Sequence, residues 1–237
     1  MIDLITAATA ADEKQRDSTL AVLPIGSFEQ HGDFLPLITD TVVASAIAQH
    51  IAQAYPVMLL PPITISCSHE HAAWRGTVSI SARTLYQLVT DVADSLTQSG
   101  VERLVLVNGH GGNYVLSNVV QEYTATHGPT ISLFPLAHDW TTARTDARMQ
   151  TGSHDDMHAG ELETSLLLHV APHLVRPGNE TADWIGDERA YLLTLGMAAY
   201  TTSGVIGRPS LGTAEKGKAA LDSLTQSFAI HVRDLGF

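Results

Sequence analysis

The chain has little cysteine and little positive charge. Cys67 is the single cysteine among 237 residues, which excludes a disulfide within the chain and a zinc site built on several cysteines. A reducing compartment, the cytoplasm, is therefore expected. Lys and Arg number 13 against 25 Asp and Glu, which gives a net charge of −12. Because this excess repels phosphate backbones and anionic lipid surfaces, neither nucleic acid nor a membrane is an expected partner.

Long hydrophobic runs are also missing. The first residues, 1–11, carry Asp3 and no Lys or Arg, so neither an export signal nor a membrane span is predicted there, and residues 7–14 favour a small surface helix. Hydrophobic residues make up 44% of the chain and charged residues 16%, as in ordinary globular proteins. With no candidate linker, the length predicts one domain over residues 1–237.

Short apolar runs alternate with stretches of helical periodicity. This order predicts an α/β protein with a mostly parallel sheet and helices on both faces. Residues 137–158 mix aromatic and charged residues without periodicity, which predicts a functional loop that sets substrate specificity together with the segment around Trp184. The predicted strands are 20–25, 57–60 with a continuation at 63–65, 104–107 and 130–136, and the predicted helices are 41–54, 81–98, 113–127, 161–170 and 214–233.

The first cluster of polar residues follows the first predicted strand. It reads Gly-Ser-Phe-Glu-Gln-His-Gly over residues 26–32, with Asp40 at the start of the next helix. Glu29 and His31 are two residues apart, so an extended backbone points both to one side. Two carboxylates and an imidazole at one strand end are a suitable ligand set for a divalent metal. The alternative is that Asp40 caps its helix and that Glu29 and His31 are exposed turn residues.

The second cluster is Asn-Gly-His-Gly-Gly-Asn over residues 108–113, directly after the strand at 104–107. The glycines allow a sharp turn that holds His110 at the carboxyl edge of the sheet. A phosphate-binding loop is disfavoured because the Gly-Lys-Ser/Thr ending and the Gly-x-Gly-x-x-Gly spacing are both missing.

The third cluster surrounds the start of the helix predicted at 161–170. His158 and Glu163 are five residues apart, about 140° around a helix, so they cannot share a helical face. His158 is therefore predicted in the preceding loop, approaching Glu163 from another direction. Acidic residues such as Glu161 also suit the first turn of a helix, which is the structural alternative for Glu163.

Together these clusters resemble the creatininase family of metal-dependent amidohydrolases, as do Glu70-His71 with Arg-Gly-Thr at 75–77 and Ala-Glu-Lys-Gly at 214–217. The resemblance spans residues 20–218 in the same order. It implies a three-layer α/β/α domain with two divalent ions (zinc, manganese or iron) at the carboxyl edge of the sheet. It also implies a homo-oligomer, commonly a hexamer. The metal ligands that it implies are Glu29, His31, Asp40, His110 and Glu163, with Asp40 bridging the two ions.

Two positions depart from creatininase proper. That enzyme has a metal-binding glutamate where this chain has Gly112, and a glutamate before the catalytic histidine where this chain has Met157. Both departures disfavour creatinine as the substrate. They resemble instead the branch that includes a formamide-cleaving deformylase and a peptidase of mycofactocin maturation.

The expected activity is hydrolysis of an amide, formamide or cyclic amide C–N bond in a small molecule or short peptide. Metal-bound hydroxide would attack the carbonyl and His158 would carry a proton to the leaving nitrogen. Substrate contacts are predicted at His71, Trp140, Gly111 and Gly112.

Two alternatives stay open. A dinuclear phosphoesterase uses similar ligands, but few arginines (Arg75, Arg144 and Arg148) are candidates for holding a phosphate. A metal-binding protein that has lost turnover is the other alternative.

Overall fold

The computed structural model describes residues 6–237, so residues 1–5 of the predicted N-terminal segment lie outside it. Four parallel strands form one sheet in the order β2-β1-β3-β4. The strands are β1 (Leu20–Ile25), β2 (Met58–Leu59), β3 (Arg103–Asn108) and β4 (Ile131–Phe134). The predicted continuation at 63–65 is limited to one bridge between Ile63 and Ile25.

Helices cover both faces of this sheet, and the predicted three-layer α/β/α class is confirmed. The predicted surface helix is α1, which has no buried residue. Within residues 6–237, no helix is both long enough and apolar enough to cross a bilayer. The helices are α1 (Ala10–Arg16), α2 (Thr39–Ala54), α3 (Ala82–Gln98), α4 (Val115–His127), α5 (Ala137–Asp146), α6 (Glu161–Val170), α7 (Leu192–Leu195) and α8 (Ala214–Leu235).

Helix α5 corrects the prediction of a loop over residues 137–158. Asp139 accepts a hydrogen bond from the backbone N–H of Leu136 at 2.8 Å, which ties down the start of the helix. Near its other end, Arg144 is buried in an ion pair with Asp156 at 2.8 Å. Because its buried face includes these charged residues, α5 lacks the apolar periodicity by which helices are recognised.

Alternating side chains of the strands divide the interior into two apolar cores. Val22 of β1 and Val105 of β3 face the core formed with α2, α5, α6 and α8. Leu23 and Leu106 face the other core, formed with α3 and α4. Strands buried on both faces explain the continuous apolar runs in the sequence.

The site lies where the strand order reverses. The chain passes from β1 to β2 on one side and later returns to β3 on the other, so the loops after β1 and β3 leave the same edge beside each other. Ile25, the last residue of β1, is paired with Asn108 at the end of β3. Such a crevice at the carboxyl ends of parallel strands is where α/β proteins bind ligands.

Candidate metal centre

The five predicted metal ligands meet at this edge of the sheet. Within residues 6–237, ligand atoms form three groups small enough to hold an ion, and two of these groups include Asp40. One of these two also contains Glu29 and His110, and the other contains His31 and Glu163. The third group joins Glu29 and His31 to His158. The sharing of Asp40 fits the bridging carboxylate that the family resemblance implies.

Asp40 lies between two imidazoles and does not cap α2. Its Oδ1 is 3.1 Å from Nε2 of His31, and its Oδ2 is 3.0 Å from Nδ1 of His110. Ser27 donates a hydrogen bond to Oδ2 at 2.6 Å. The residue that precedes α2 is Ile38, and no side-chain hydrogen bond caps the helix. The alternative of a capping aspartate with exposed neighbours is therefore wrong, because Glu29, His31 and Asp40 are all buried.

Backbone carbonyls fix the orientation of both imidazoles. Nδ1 of His31 donates to the carbonyl oxygen of Glu29 at 3.1 Å, and Nε2 of His110 donates to that of Cys67 at 2.8 Å. The other ring nitrogen of each histidine then faces Asp40. Metal-binding histidines are commonly held in this way, with the outer N–H paired and the inner nitrogen free to ligate.

The backbone of Gly109 allows α2 to approach closely. A Cβ atom at this position would lie 2.4 Å from the carbonyl oxygen of Asp40 and 2.9 Å from the backbone nitrogen of Ala44. Any other residue at 109 would push the first turn of α2, and Asp40 with it, away from His110. The glycine therefore sets the distance between two candidate ligands.

Glu29 provides the test of whether a metal fits this centre. Its side chain is fully buried, and neither carboxylate oxygen has a hydrogen-bond partner among residues 6–237. Nitrogens of His71 and His110 lie 3.2 Å away without hydrogen-bond geometry. Burial raises the pKa of Glu29 to about 7. A buried carboxylate without partners is costly, and a divalent cation is the partner that the surrounding oxygen and imidazole donors suit.

The field of the centre favours cations. Burial alone would lower the pKa values of His31 and His110, yet the neighbouring carboxylates, Asp40 for the first and Glu29 for the second, raise them to about 9 and about 10. Conversely, burial alone would raise the pKa of Asp40, but the two histidines hold it well below its usual range. The carboxylates thus attract positive charge, whether a proton or a metal ion carries it.

His158 lies in the loop before α6, as its spacing from Glu163 predicts. Its Nε2 donates to the carbonyl oxygen of Gln30 at 2.7 Å, so the unprotonated Nδ1 faces the centre, 3.8 Å from Oε1 of Glu29. Burial, with the charges of His31 and His71, lowers the pKa of His158 well below its usual value. The imidazole is therefore neutral and placed to accept a proton at Nδ1.

Ala159 has a φ angle of 53°, in the left-handed region that is unfavourable for alanine. This conformation directs its N–H onto Glu163 Oε2 at 2.6 Å. Burial raises the pKa of Glu163 to about 7. The strained residue thus holds a candidate ligand immediately beside His158, and strain of this kind is often found at functional sites.

Gln30 organises the centre, although the sequence analysis does not single it out. Its amide nitrogen donates to Nδ1 of His71 at 2.9 Å and to the carbonyl oxygen of Gly204 at 3.0 Å. Its amide oxygen accepts from the N–H of Gly32 at 3.0 Å. The proton of His71 is then on Nε2, which faces Glu29. The predicted pocket residue His71 is therefore buried at the centre, and the Glu-Gln-His order of the motif is the signal that could have identified Gln30.

A cavity of about 430 Å³ opens beside the centre and is partly lined by Gly112. Gly111 is exposed and Trp140 packs against an apolar core, so their contacts with substrate remain predictions. Residues 193–196 contribute to the cavity, whereas residues 137–158 do not. The apolar members of its lining include Cys67, Ala72, Ala73, Val115, Leu193 and Leu195.

Arg144 is not free to hold a phosphate. Its guanidinium donates to the carboxylate of Asp156 at 2.8 Å and to the carbonyl oxygen of the same residue at 3.0 Å. Asp156 also accepts from the N–H groups of Glu161 and Leu162 in the first turn of α6. The pair thus supports the helix that carries Glu163, which counts against the phosphoesterase alternative.

Comparison with known proteins agrees with this geometry. The family described as "Creatininase: Creatinine amidohydrolase" matches residues 4–232. A mycofactocin precursor peptide peptidase of Mycobacterium ulcerans (strain Agy99) is 36% identical over 211 residues, covering 83% of this chain and 78% of that protein. The creatinine amidohydrolase of Pseudomonas putida is 24% identical, covering 90% of this chain and 88% of that protein.

Solved structures show the same fold. One described as "Creatininase Mn" has a TM-score of 0.80 at 22% identity, over 96% of each chain. These similarities confirm the predictions of the family, of an enzyme and of C–N bond hydrolysis. The chain therefore belongs to the creatininase family of amidohydrolases.

Proposed function

We propose that the protein is a dinuclear metal hydrolase that cleaves the amide bond of a small molecule or short peptide beside an uncharged, mostly apolar group. The observation that carries the proposal is that Asp40 belongs to two of the three candidate groups, and that these two groups together contain all five predicted ligands. One ion is assigned to Glu29, Asp40 and His110, and the other to His31, Asp40 and Glu163. Zinc and manganese are the preferred candidates, because solved creatininases are described as "Creatininase Mn" and, for a variant, as "Zn-Zn type".

Divalent ions in such a centre polarise a carbonyl group and make a bound water acidic enough to ionise near pH 7. The residues of this chain supply the proton transfer. His158 is neutral at rest, and its Nδ1 is the nitrogen that faces the centre. It accepts the proton of the attacking water and delivers it to the leaving nitrogen. Gln30 holds His158 through its backbone carbonyl, so the acceptor nitrogen keeps its direction during the transfer.

The cavity beside Glu70 and Gly112 supports the substrate class. Its wall is mainly apolar, and its polar end is the one that faces the centre. The greater similarity to a mycofactocin precursor peptide peptidase than to a creatinine amidohydrolase favours a peptide-type amide over creatinine. We also assign the protein to the cytoplasm and to a homo-oligomer, a hexamer as in the family. Light scattering of the purified protein measures the oligomeric state.

The test combines elemental analysis with a hydrolysis panel. The purified protein is expected to hold two zinc or manganese ions per chain. It should hydrolyse members of a panel of formamides, lactams and short peptides with apolar residues beside the scissile bond. His158→Ala is the matched control, because it should keep both ions and lose turnover. A protein without bound metal, or one that hydrolyses a phosphate ester and none of the amides, contradicts the proposal.

A further inference from the structure

Glu70 brings another carboxylate to the centre, from a segment that contributes none of the five ligands above. It lies in the short 3₁₀ helix His69–His71 between β2 and α3. Its Oε1 is 3.7 Å from Nε2 of His110, and its side chain is 13% exposed at the inner end of the cavity. The preceding His69 points elsewhere and is hydrogen-bonded to Ser79. Glu70 alone within this helix therefore presents a carboxylate to His110.

The glycine at position 112 makes room for Glu70. A Cβ atom there would lie 2.0 Å from Oε1 of Glu70 and 2.4 Å from Nε2 of His110. The neighbouring Gly111 differs, since a Cβ atom at that position would meet no atom within 4 Å. Any side chain at 112 would displace Glu70, His110 or both.

The two ring nitrogens of His110 have different neighbours. Nδ1 faces Asp40, while Nε2 donates to the carbonyl oxygen of Cys67 and is near both Glu29 and Glu70. A carboxylate beside the outer N–H of a metal-binding histidine increases the basicity of the ligating nitrogen and fixes the ring. Loss of a hydrogen-bonded outer partner typically weakens metal binding by about 10–100-fold. Cys67 holds that hydrogen bond here, and Glu70 acts on His110 through its charge at 3.7 Å.

We propose that Glu70 is a positioning residue of the metal centre, admitted by Gly112, and that it strengthens binding of the ion held through His110. The inference rests on the proposed metal centre. Glu70 places a negative charge 3.7 Å from the outer ring nitrogen of His110, on the side of the cavity.

The test is metal affinity, measured without substrate. Dissociation constants for zinc and manganese are determined by competition with a chromophoric chelator, for the wild type and for Glu70→Gln. We expect one of the two ions to bind up to about 10-fold more weakly in the variant, at the low end of that range, because Cys67 still accepts the N–H hydrogen bond of His110. The visible spectrum of the cobalt-loaded protein should also change, because His110 contacts the ion. Glu102→Gln, which removes an exposed charge just before β3, is the matched control and should bind metal as the wild type does.

The paired glycines give a second comparison. Gly112→Ala should weaken binding of the same ion at least as much as Glu70→Gln does, and Gly111→Ala should leave it unchanged. Circular dichroism and melting in EDTA establish that each variant is folded. An unchanged affinity and cobalt spectrum in Glu70→Gln overturns the inference, as does equal weakening by the two glycine variants. A wild-type protein that binds no metal contradicts the proposed function itself, so the two failures are distinguishable.

Discussion

Replacement of Glu29 by glutamine should change stability in opposite directions with and without metal. In the metal-free protein, Glu29→Gln removes a buried carboxylate that has no hydrogen bond within the described part of the chain. The variant is then expected to be more stable than the wild type at pH 8. In the metal-loaded protein the same change removes a ligand, so the variant should be less stable than the wild type.

The size of the first effect follows from the pKa of Glu29, which burial raises from 4.5 to about 7. Below pH 4.5 the carboxyl group of Glu29 is protonated in both the folded and the unfolded states. It then does not lower the free energy of unfolding. Between pH 4.5 and about 7 the unfolded chain loses its proton first, so stability falls as the pH rises. Above pH 7 the free energy of unfolding has fallen by about 3 kcal/mol in total. This value is the pKa shift of Glu29 multiplied by about 1.4 kcal/mol per pKa unit. A gain of roughly 5–10 °C in melting temperature is then expected at pH 8.

The effect of metal is measured by the same assay. Binding at 1,000 times the dissociation constant stabilises the wild type by about 4 kcal/mol, and Glu29→Gln should lose most of this gain. Melting curves in EDTA at pH 5 and pH 8, and in saturating zinc at pH 8, give all the required values. The advantage of the variant in EDTA should shrink at pH 5, where the folded wild type keeps its proton.

Glu161→Gln is the matched control. Glu161 is also fully buried, but its carboxylate accepts hydrogen bonds from the N–H and hydroxyl of Thr151 and pairs with Lys216. Its replacement should destabilise the protein by about 2–4 kcal/mol with or without metal. A Glu29→Gln protein that melts below the wild type in EDTA at pH 8 would refute the reasoning from desolvation.

Three further outcomes are expected. His158→Ala should keep both ions by elemental analysis while kcat falls about 10²–10⁴-fold, and loss of an ion would make His158 a ligand instead. Asp156→Ala should lower the free energy of unfolding in urea by about 3–5 kcal/mol, because Arg144 and the first turn of α6 lose their partner; a change below 1 kcal/mol contradicts this role. Gly109→Ala should weaken metal binding in chelator competition, because its Cβ would lie 2.4 Å from the carbonyl of Asp40; unchanged affinity contradicts the steric argument.

Much of the fold could be predicted because local pattern and burial agree. The middle of strand β3, residues 104–107, is apolar since both of its faces are covered, and α6 begins at Glu161 as predicted. Helix α5 could not be predicted, because its stability depends on Arg144 reaching Asp156, twelve residues away. A pattern of apolar residues carries no signal for a helix that is held by a buried ion pair.

The candidate ligands could be predicted for a related reason. Glu29 and His110 directly follow strands, and parallel strands bring their carboxyl ends to one edge. Gln30 shares the loop of Glu29, but its role depends on contacts with His71 and Gly204 from distant segments. Glu70 could not be assigned from strand order. Glu70 lies in a 3₁₀ helix with no strand beside it, and its position depends on a glycine 42 positions later in the chain.

The sequence by itself determined which chemistry is present, because residue type and strand order fix the donor atoms and the edge at which they gather. Only the tertiary structure decided how these atoms are used. The carbonyl of Gln30 selects the nitrogen of His158 that faces the centre, and the backbone of Gly109 sets how near Asp40 comes to His110. Such choices depend on contacts of a few ångströms between distant segments, and these contacts exist only after the chain has packed.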